Sequence, residues 1–213
     1  RGLWDVYKRQ EYMWQHLAST LIGTNENQTF NIYTGSGSNG KSKLVELMSK
    51  GLGDYKATVL ITLVTRSRNS IGSTSSEIVQ LMGVRYAVMQ EPSKGDKINE
   101  GIMKEITGGD PIQGRALFKD AVTFIPQFKL VVCTNVLFDI KSNDDGTWRR
   151  IRVCDFMSKF TDNPYSNEKF PKDNFPHQFQ IDKKIDEKFE LWAPVFISML
   201  VDIGFKTGGR VTD

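Results

Sequence analysis

Cysteine, histidine and long apolar runs are all scarce in this chain. Two cysteines and two histidines occur in 213 residues. Cys133 and Cys154 each sit inside an apolar, strand-like run, which points to two buried, reduced thiols rather than a disulfide framework. With the distant His16 and His177 they make no credible zinc site. No run reaches the roughly 20 apolar residues of a transmembrane helix, and no signal-peptide pattern opens the chain. The expectation is an intracellular protein, neither secreted nor membrane-bound. Charge of one sign is also lacking. A formal net charge of +3 is too small to argue for a nucleic-acid partner by itself. The remaining composition is ordinary for a globular chain, and the length fits one large domain or a core with appendages.

What is present is a glycine loop with chemistry in it. Gly35-Ser36-Gly37-Ser38-Asn39-Gly40-Lys41-Ser42 fits the phosphate-loop pattern G-x-x-x-x-G-K-[ST] at every fixed position. Thr29 to Thr34 reads as a short buried strand, and Lys43 to Lys50 places Leu44, Val45, Leu47 and Met48 on one helical face. Strand, glycine turn and helix together aim backbone N–H groups and a helix N-terminus at a polyphosphate. Residues 35–42 are therefore expected to bind a nucleoside triphosphate. Lys41 would reach its β- and γ-phosphates, and the Ser42 hydroxyl would complete a Mg²⁺ shell.

Strands alternating with helices predict an α/β fold, a mostly parallel central sheet flanked by helices. Residues 1–10 resemble translated adaptor sequence and are read as a non-native leader. An amphipathic helix follows over 11–22, closed by Gly23 within an N-terminal segment 11–27. The core spans 28–157. It holds further buried strands at 84–91, 129–135 and 150–156, helices near 76–82 and 98–106, and a β-hairpin over 111–126. Residues 56–76 read as a short strand plus an exposed loop bearing Arg66 and Arg68. Residues 158–180 read as a long irregular connection, and 181–205 as a helical pair broken at Pro194.

Ligands of open parallel sheets gather at the carboxyl ends of the strands. Besides the phosphate loop, one strand ends on Glu91 and another on Asn135. Hydrolysis of ATP needs a carboxylate to orient or deprotonate water and a polar group that senses the γ-phosphate. Glu91 suits the first role, with a water-mediated hold on Mg²⁺, and Asn135 the second. Each also has a plainer reading, as a solvated strand-end carboxylate and a turn residue. Before Glu91, where many such ATPases carry a second acid, stands Gln90, which adds no charge to a metal site. Asn135-Val-Leu-Phe138 supplies no Asn-Lys-x-Asp loop, so a guanine base is not expected.

The order and spacing of these markers resemble the superfamily 3 helicases. The likeness is closest to the helicase part of poxvirus-type primase-helicases of large DNA viruses and related phage proteins. The resemblance rests on Gly35 to Leu44 with Gly51 to Tyr55, on Met89-Gln-Glu-Pro92, and on Lys104 to Asp110 through Phe118 and Phe124 to Pro126. Val131 to Asn135 and Trp148-Arg-Arg-Ile-Arg-Val153 complete it. It implies an AAA-like phosphate-loop ATPase using ATP and Mg²⁺. It also implies a ring, in this family a homo-hexamer, that moves on single-stranded DNA and unwinds duplex, in host cytoplasm, nucleus or a phage-infected cell. A primase domain upstream in the full-length chain is part of the same expectation.

The resemblance assigns Arg149 or Arg150 as an arginine finger acting on the neighbouring subunit's ATP. It makes the hairpin the DNA contact, with Arg115 before the tip, Lys119 near it and Phe118 able to stack on a base. The plainer reading puts Phe118 in the core and leaves Lys119 a solvated turn lysine. Two other functions stay open at this point. One is a nucleoside kinase whose lid arginines come from residues 56–76, and the other is a nucleotide-switched assembly or origin-binding module without hydrolysis.

Overall fold

The computed structural model describes residues 3–65, 75–90, 97–137, 140 and 144–212, with side chains from Tyr7 onward. Its centre is a five-stranded sheet built from β1 (Phe30–Thr34), β2 (Lys56–Val59), β3 (Tyr86–Met89), β6 (Lys129–Cys133) and β7 (Ile151–Asp155). The strand order is β2-β3-β6-β1-β7, and every pairing is parallel. β4 (Ile112–Arg115) and β5 (Ala121–Phe124) form the expected antiparallel hairpin outside this sheet.

Side chains alternate across the sheet and feed two cores, so the central strands read as unbroken apolar runs. Phe30, Ile32, Ala87, Met89, Leu130 and Val132 face one side. There they meet α3 (Thr62–Thr65) and Met103 and Ile106 of α5 (Glu100–Thr107). Tyr33, Tyr86, Val88 and Val131 face the other. Against them pack α1 (Leu3–Ser19), α2 (Lys41–Leu52) and α7 (Ile185–Thr207). The second core contains a polar chain: His16 Nε2 lies 2.8 Å from the Tyr33 hydroxyl, to which the Tyr86 hydroxyl donates at 3.4 Å. Burial, reinforced by the Lys129 charge, pulls the His16 pKa down to about 3. Two short helices, α4 (Ser76–Val79) and α6 (Asp145–Trp148), join the remaining segments.

Three expectations need correction. The N-terminal helix begins at Leu3 rather than at residue 11, running through the segment read as a leader. Residues 181–205 are not a helical pair, because α7 continues through Pro194. Proline removes one N–H bond, but Pro194 is on the exposed side, where the freed carbonyl meets water. Phe189, Ala193 and Leu200 meanwhile hold both halves of α7 on the core. Residues 158–180 are not wholly irregular either. β8 (Lys159–Thr161) and β9 (Gln178–Gln180) pair in parallel as a small second sheet. Cys133 and Cys154 are free thiols, with burial raising their pKa to about 11 and about 12.

Candidate nucleotide site

The sheet order makes β3, β6 and β1 neighbours, so the chain segments leaving them share one mouth. A cleft of about 710 Å³ opens there, lined by Asn39, Lys41, Ser42, Gln90 and Asn135 among others. The loop from β1 to α2 winds through left-handed backbone at Gly37, Ser38 and Gly40, with φ of 80°, 48° and 90°. At Gly35, with φ 147°, a Cβ would stand 2.6 Å from the Phe156 carbonyl oxygen, so no larger residue fits. Gly40 starts α2 without a side-chain cap, and the first turn carries no acid. That leaves the N-terminal N–H groups and the positive end of the helix dipole open to an anion.

Lys41 is 6% exposed, and its ammonium points back into the loop. It donates to Gly35 O at 3.1 Å, Asn39 Oδ1 at 3.2 Å and Asn135 Oδ1 at 3.2 Å. The structure therefore joins the loop lysine to the expected sensor across two neighbouring strands. Asn39 is buried as well, and its Nδ2 has no hydrogen-bond partner among the described residues. A buried donor left unpaired beside an open helix N-terminus suits an incoming phosphate oxygen. Ser42 and Gln90 are exposed in the cleft. Among the described residues no group of three His, Cys, Asp or Glu could hold a metal alone. A Mg²⁺ ion arriving with phosphates would find one protein oxygen donor in the cleft at Ser42 Oγ.

Glu91, and with it the expected catalytic carboxylate, lies outside the described residues, as do Arg66 and Arg68. The two arginines stand at the far end of the sheet. Phe30 N–H donates to Arg150 O at 2.7 Å, pairing the start of β1 with the start of β7. Five strand residues, roughly 17 Å, then separate this end from the loop. Arg150 is 7% exposed, and it donates to Gly146 O at 2.6 Å and Gln28 Oε1 at 3.0 Å. Arg149 is exposed and shares Gln28 Oε1 at 3.2 Å. Gln28 in turn donates to Gly108 O at 2.9 Å, tying the arginine pair to the end of α5.

At the hairpin tip Phe118 is 94% exposed with φ 57°, so the core reading of this residue is wrong. Leu117 and Lys119 are exposed beside it. Arg115 is occupied in part by the hairpin itself, its Nε donating to Lys119 O at 3.1 Å. Gly114 packs against Ile78 and Val79, which seats the hairpin on α4.

A second, mostly apolar cavity of about 440 Å³ lies beside the base of the loop, lined by Trp14, Leu44, Phe156, Phe179 and Phe196 among others. Sequence reasoning missed Gln28, Lys56 and Lys159. Lys56 lines the cleft, its pKa lowered by burial. Lys159 touches the loop from outside. No local pattern marks any of the three, and Gln28 and Lys159 bond to residues far away in sequence.

A family model described as a family of unknown function, DUF5906, matches residues 33–150. That is more than half of the chain, and it contains the loop, Asn135 and both arginines. The chain belongs to this family. Among the similar proteins is one of Acanthamoeba polyphaga mimivirus named "Putative helicase L207/L206". It is 42% identical over 193 residues, covering 90% of this chain and 20% of that protein. "Putative helicase 022R" of Frog virus 3 is 34% identical, with coverages of 87% and 19%. "Putative primase C962R" of African swine fever virus (isolate Tick/Malawi/Lil 20-1/1983) is 30% identical, with coverages of 74% and 17%. The chain thus spans about a fifth of the length of these curated relatives. An apo structure of the NrS-1 C-terminal region shares the fold at TM-score 0.63 and 14% identity, covering 94% of this chain and 44% of that one. The expected resemblance to primase-helicases of large DNA viruses and the expected α/β sheet fold both hold. No described helix is long and apolar enough to cross a membrane.

Proposed function

We propose that this chain is the ATPase core of a replicative DNA helicase of the superfamily 3 type. In this reading it hydrolyses ATP between subunits of a ring that moves along single-stranded DNA. The observation that carries the reading is the buried Lys41 ammonium, shared by Gly35, Asn39 and Asn135 at an uncapped helix N-terminus. Helicase and primase names among the viral relatives support the replicative part.

Bound triphosphate takes over the Lys41 ammonium and the orphaned Asn39 Nδ2, while the α2 N–H groups hold the β-phosphate. The Ser42 hydroxyl would hold a Mg²⁺ ion brought with the nucleotide, which would supply positive charge beside the phosphates. Glu91 orients or deprotonates the attacking water, and Asn135, released from Lys41, contacts the γ-phosphate side. The apolar cavity beside Leu44 and Phe156 suits the flat face of the base.

Arg149 supplies the finger in trans. It is the exposed member of the pair and sits too far along the sheet to serve its own loop. Arg150 is the buried brace behind it. Phe118 and Lys119 contact DNA in the ring channel by stacking and phosphate attraction, and Arg115 stiffens the tip. The test is steady-state ATP turnover with and without single-stranded DNA. Turnover stimulated by DNA and abolished in Lys41→Ala supports the reading. Turnover indifferent to DNA in an assembled ring removes the helicase part. Phosphate transfer to a nucleoside would indicate a kinase, and nucleotide binding without turnover a switch.

A further inference from the structure

Lys159 is 4% exposed, and no carboxylate among the described residues pairs with it. Its ammonium donates to Gly37 O at 3.0 Å and Ser36 O at 3.4 Å, two carbonyls of the phosphate loop. The rings of Phe170 and Phe175 lie 4.1 and 5.6 Å from it. The next residue adds a backbone bond, Phe160 N–H donating to Ser38 O at 2.8 Å. Three consecutive loop carbonyls are therefore held outward by two consecutive residues of β8.

Peptide planarity gives this a consequence. A carbonyl and the N–H that follows it point in opposite directions. Holding Gly37 O and Ser38 O outward turns the N–H groups of Ser38 and Asn39 toward the cleft. Ser38 keeps its left-handed backbone, φ 48°, without being glycine. Such a conformation persists only when its surroundings impose it. Behind Lys159 the support is specific too. Gln178, its register partner on β9, is buried and donates to Phe170 O at 2.8 Å and Phe175 O at 3.0 Å. It thereby holds in place the two rings that face the ammonium.

We propose that Lys159 is a positioning residue that pins the outer carbonyls of the phosphate loop, keeping the Ser38 and Asn39 N–H groups turned toward bound triphosphate. This deepens the ATP-binding reading above and rests on it. A buried cation behind the loop, balanced among the described residues by carbonyl dipoles and ring faces, also favours a polyanion in front.

The test compares wild type with Lys159→Met, Lys159→Gln and Lys159→Arg by hydrogen exchange of the 35–42 loop and Phe160 without nucleotide, and by kcat and KM for ATP. In Lys159→Met the Gly37 amide, bonded to Gly35 O at 2.9 Å, and the Phe160 amide, bonded to Ser38 O at 2.8 Å, should exchange about tenfold faster. KM for ATP should rise about tenfold with kcat within about threefold, the split expected of lost binding alone. Lys159→Arg should recover part of both, and Lys159→Gln should fall between and serves if Lys159→Met does not fold. Wild-type exchange and wild-type KM in the neutral variants would overturn the proposal. If the wild-type protein binds no ATP, the nucleotide reading fails, and unchanged loop exchange separately sinks the pinning role.

Discussion

Lys41 and Asn135, 94 positions apart, meet with the lysine ammonium 3.2 Å from the asparagine side-chain oxygen. This contact couples the end of β6 to the phosphate loop. Asn135→Ala should therefore disturb the step in which the lysine and the γ-phosphate are aligned. The expected outcome is a kcat lower by roughly 10- to 100-fold with KM nearly unchanged, as for a lost transition-state donor. Steady-state ATP hydrolysis reads both numbers, and a pure KM effect would contradict the assignment.

The two adjacent arginines should behave differently. Arg150→Ala removes buried hydrogen bonds to Gly146 and Gln28 and should lower stability by about 1–3 kcal/mol. Arg149→Ala should leave stability within about 0.5 kcal/mol, as an exposed substitution does. Denaturant unfolding of each variant measures the difference. Equal destabilisation would remove the distinction between brace and finger.

At the hairpin, Phe118→Ala should weaken single-stranded DNA binding by about 1–3 kcal/mol, the value of one stacked base. Lys119→Ala should reduce the salt dependence of binding by about 0.7 in log–log slope, one phosphate contact on a single strand. Neither should change DNA-free ATP turnover, because both side chains are exposed away from the loop. Fluorescence anisotropy over a salt series tests this, and unchanged DNA affinity in both variants would rule out the hairpin contact.

Acid should weaken the fold through His16. Its folded pKa of about 3 lies below the ordinary 6.5, so between those values the unfolded chain binds a proton that the folded chain does not. Stability is then full above about pH 6.5 and falls as pH drops toward 3, by about 2 kcal/mol at pH 5 from this group. His16→Gln should lose less between pH 7 and pH 5 than wild type in urea unfolding. Equal losses would mean that the buried imidazole is not the acid-sensitive group.

The elements around the strand ends were legible in the sequence because they are local. Gly35 to Ser42 carries its own strand, turn and helix, and Asn135 closes an apolar run. Pairings between distant segments were not. Residues 158–180 contain prolines and polar residues that resemble a connection, yet three residues at each end find each other as β8 and β9. Lys159 is an ordinary lysine until that pairing sets it behind the loop. Pro194 misled for the opposite reason. Local propensity argues for a break, and packing of Phe189, Ala193 and Leu200 on both sides overrides it. Choosing between Arg149 and Arg150 required Gln28, which lies more than a hundred residues away.

The central claim is an ATP site shared by two subunits, and subunit mixing tests it most directly. Lys41→Ala lacks the phosphate lysine, Arg149→Ala lacks the finger, and each should be inactive alone. In an equal mixture, head-to-tail assembly re-forms interfaces with an intact Lys41 facing an intact Arg149. ATPase activity should then return to roughly a quarter of wild type. A mixture as inactive as its components, in rings shown by native mass to contain both, would contradict the account.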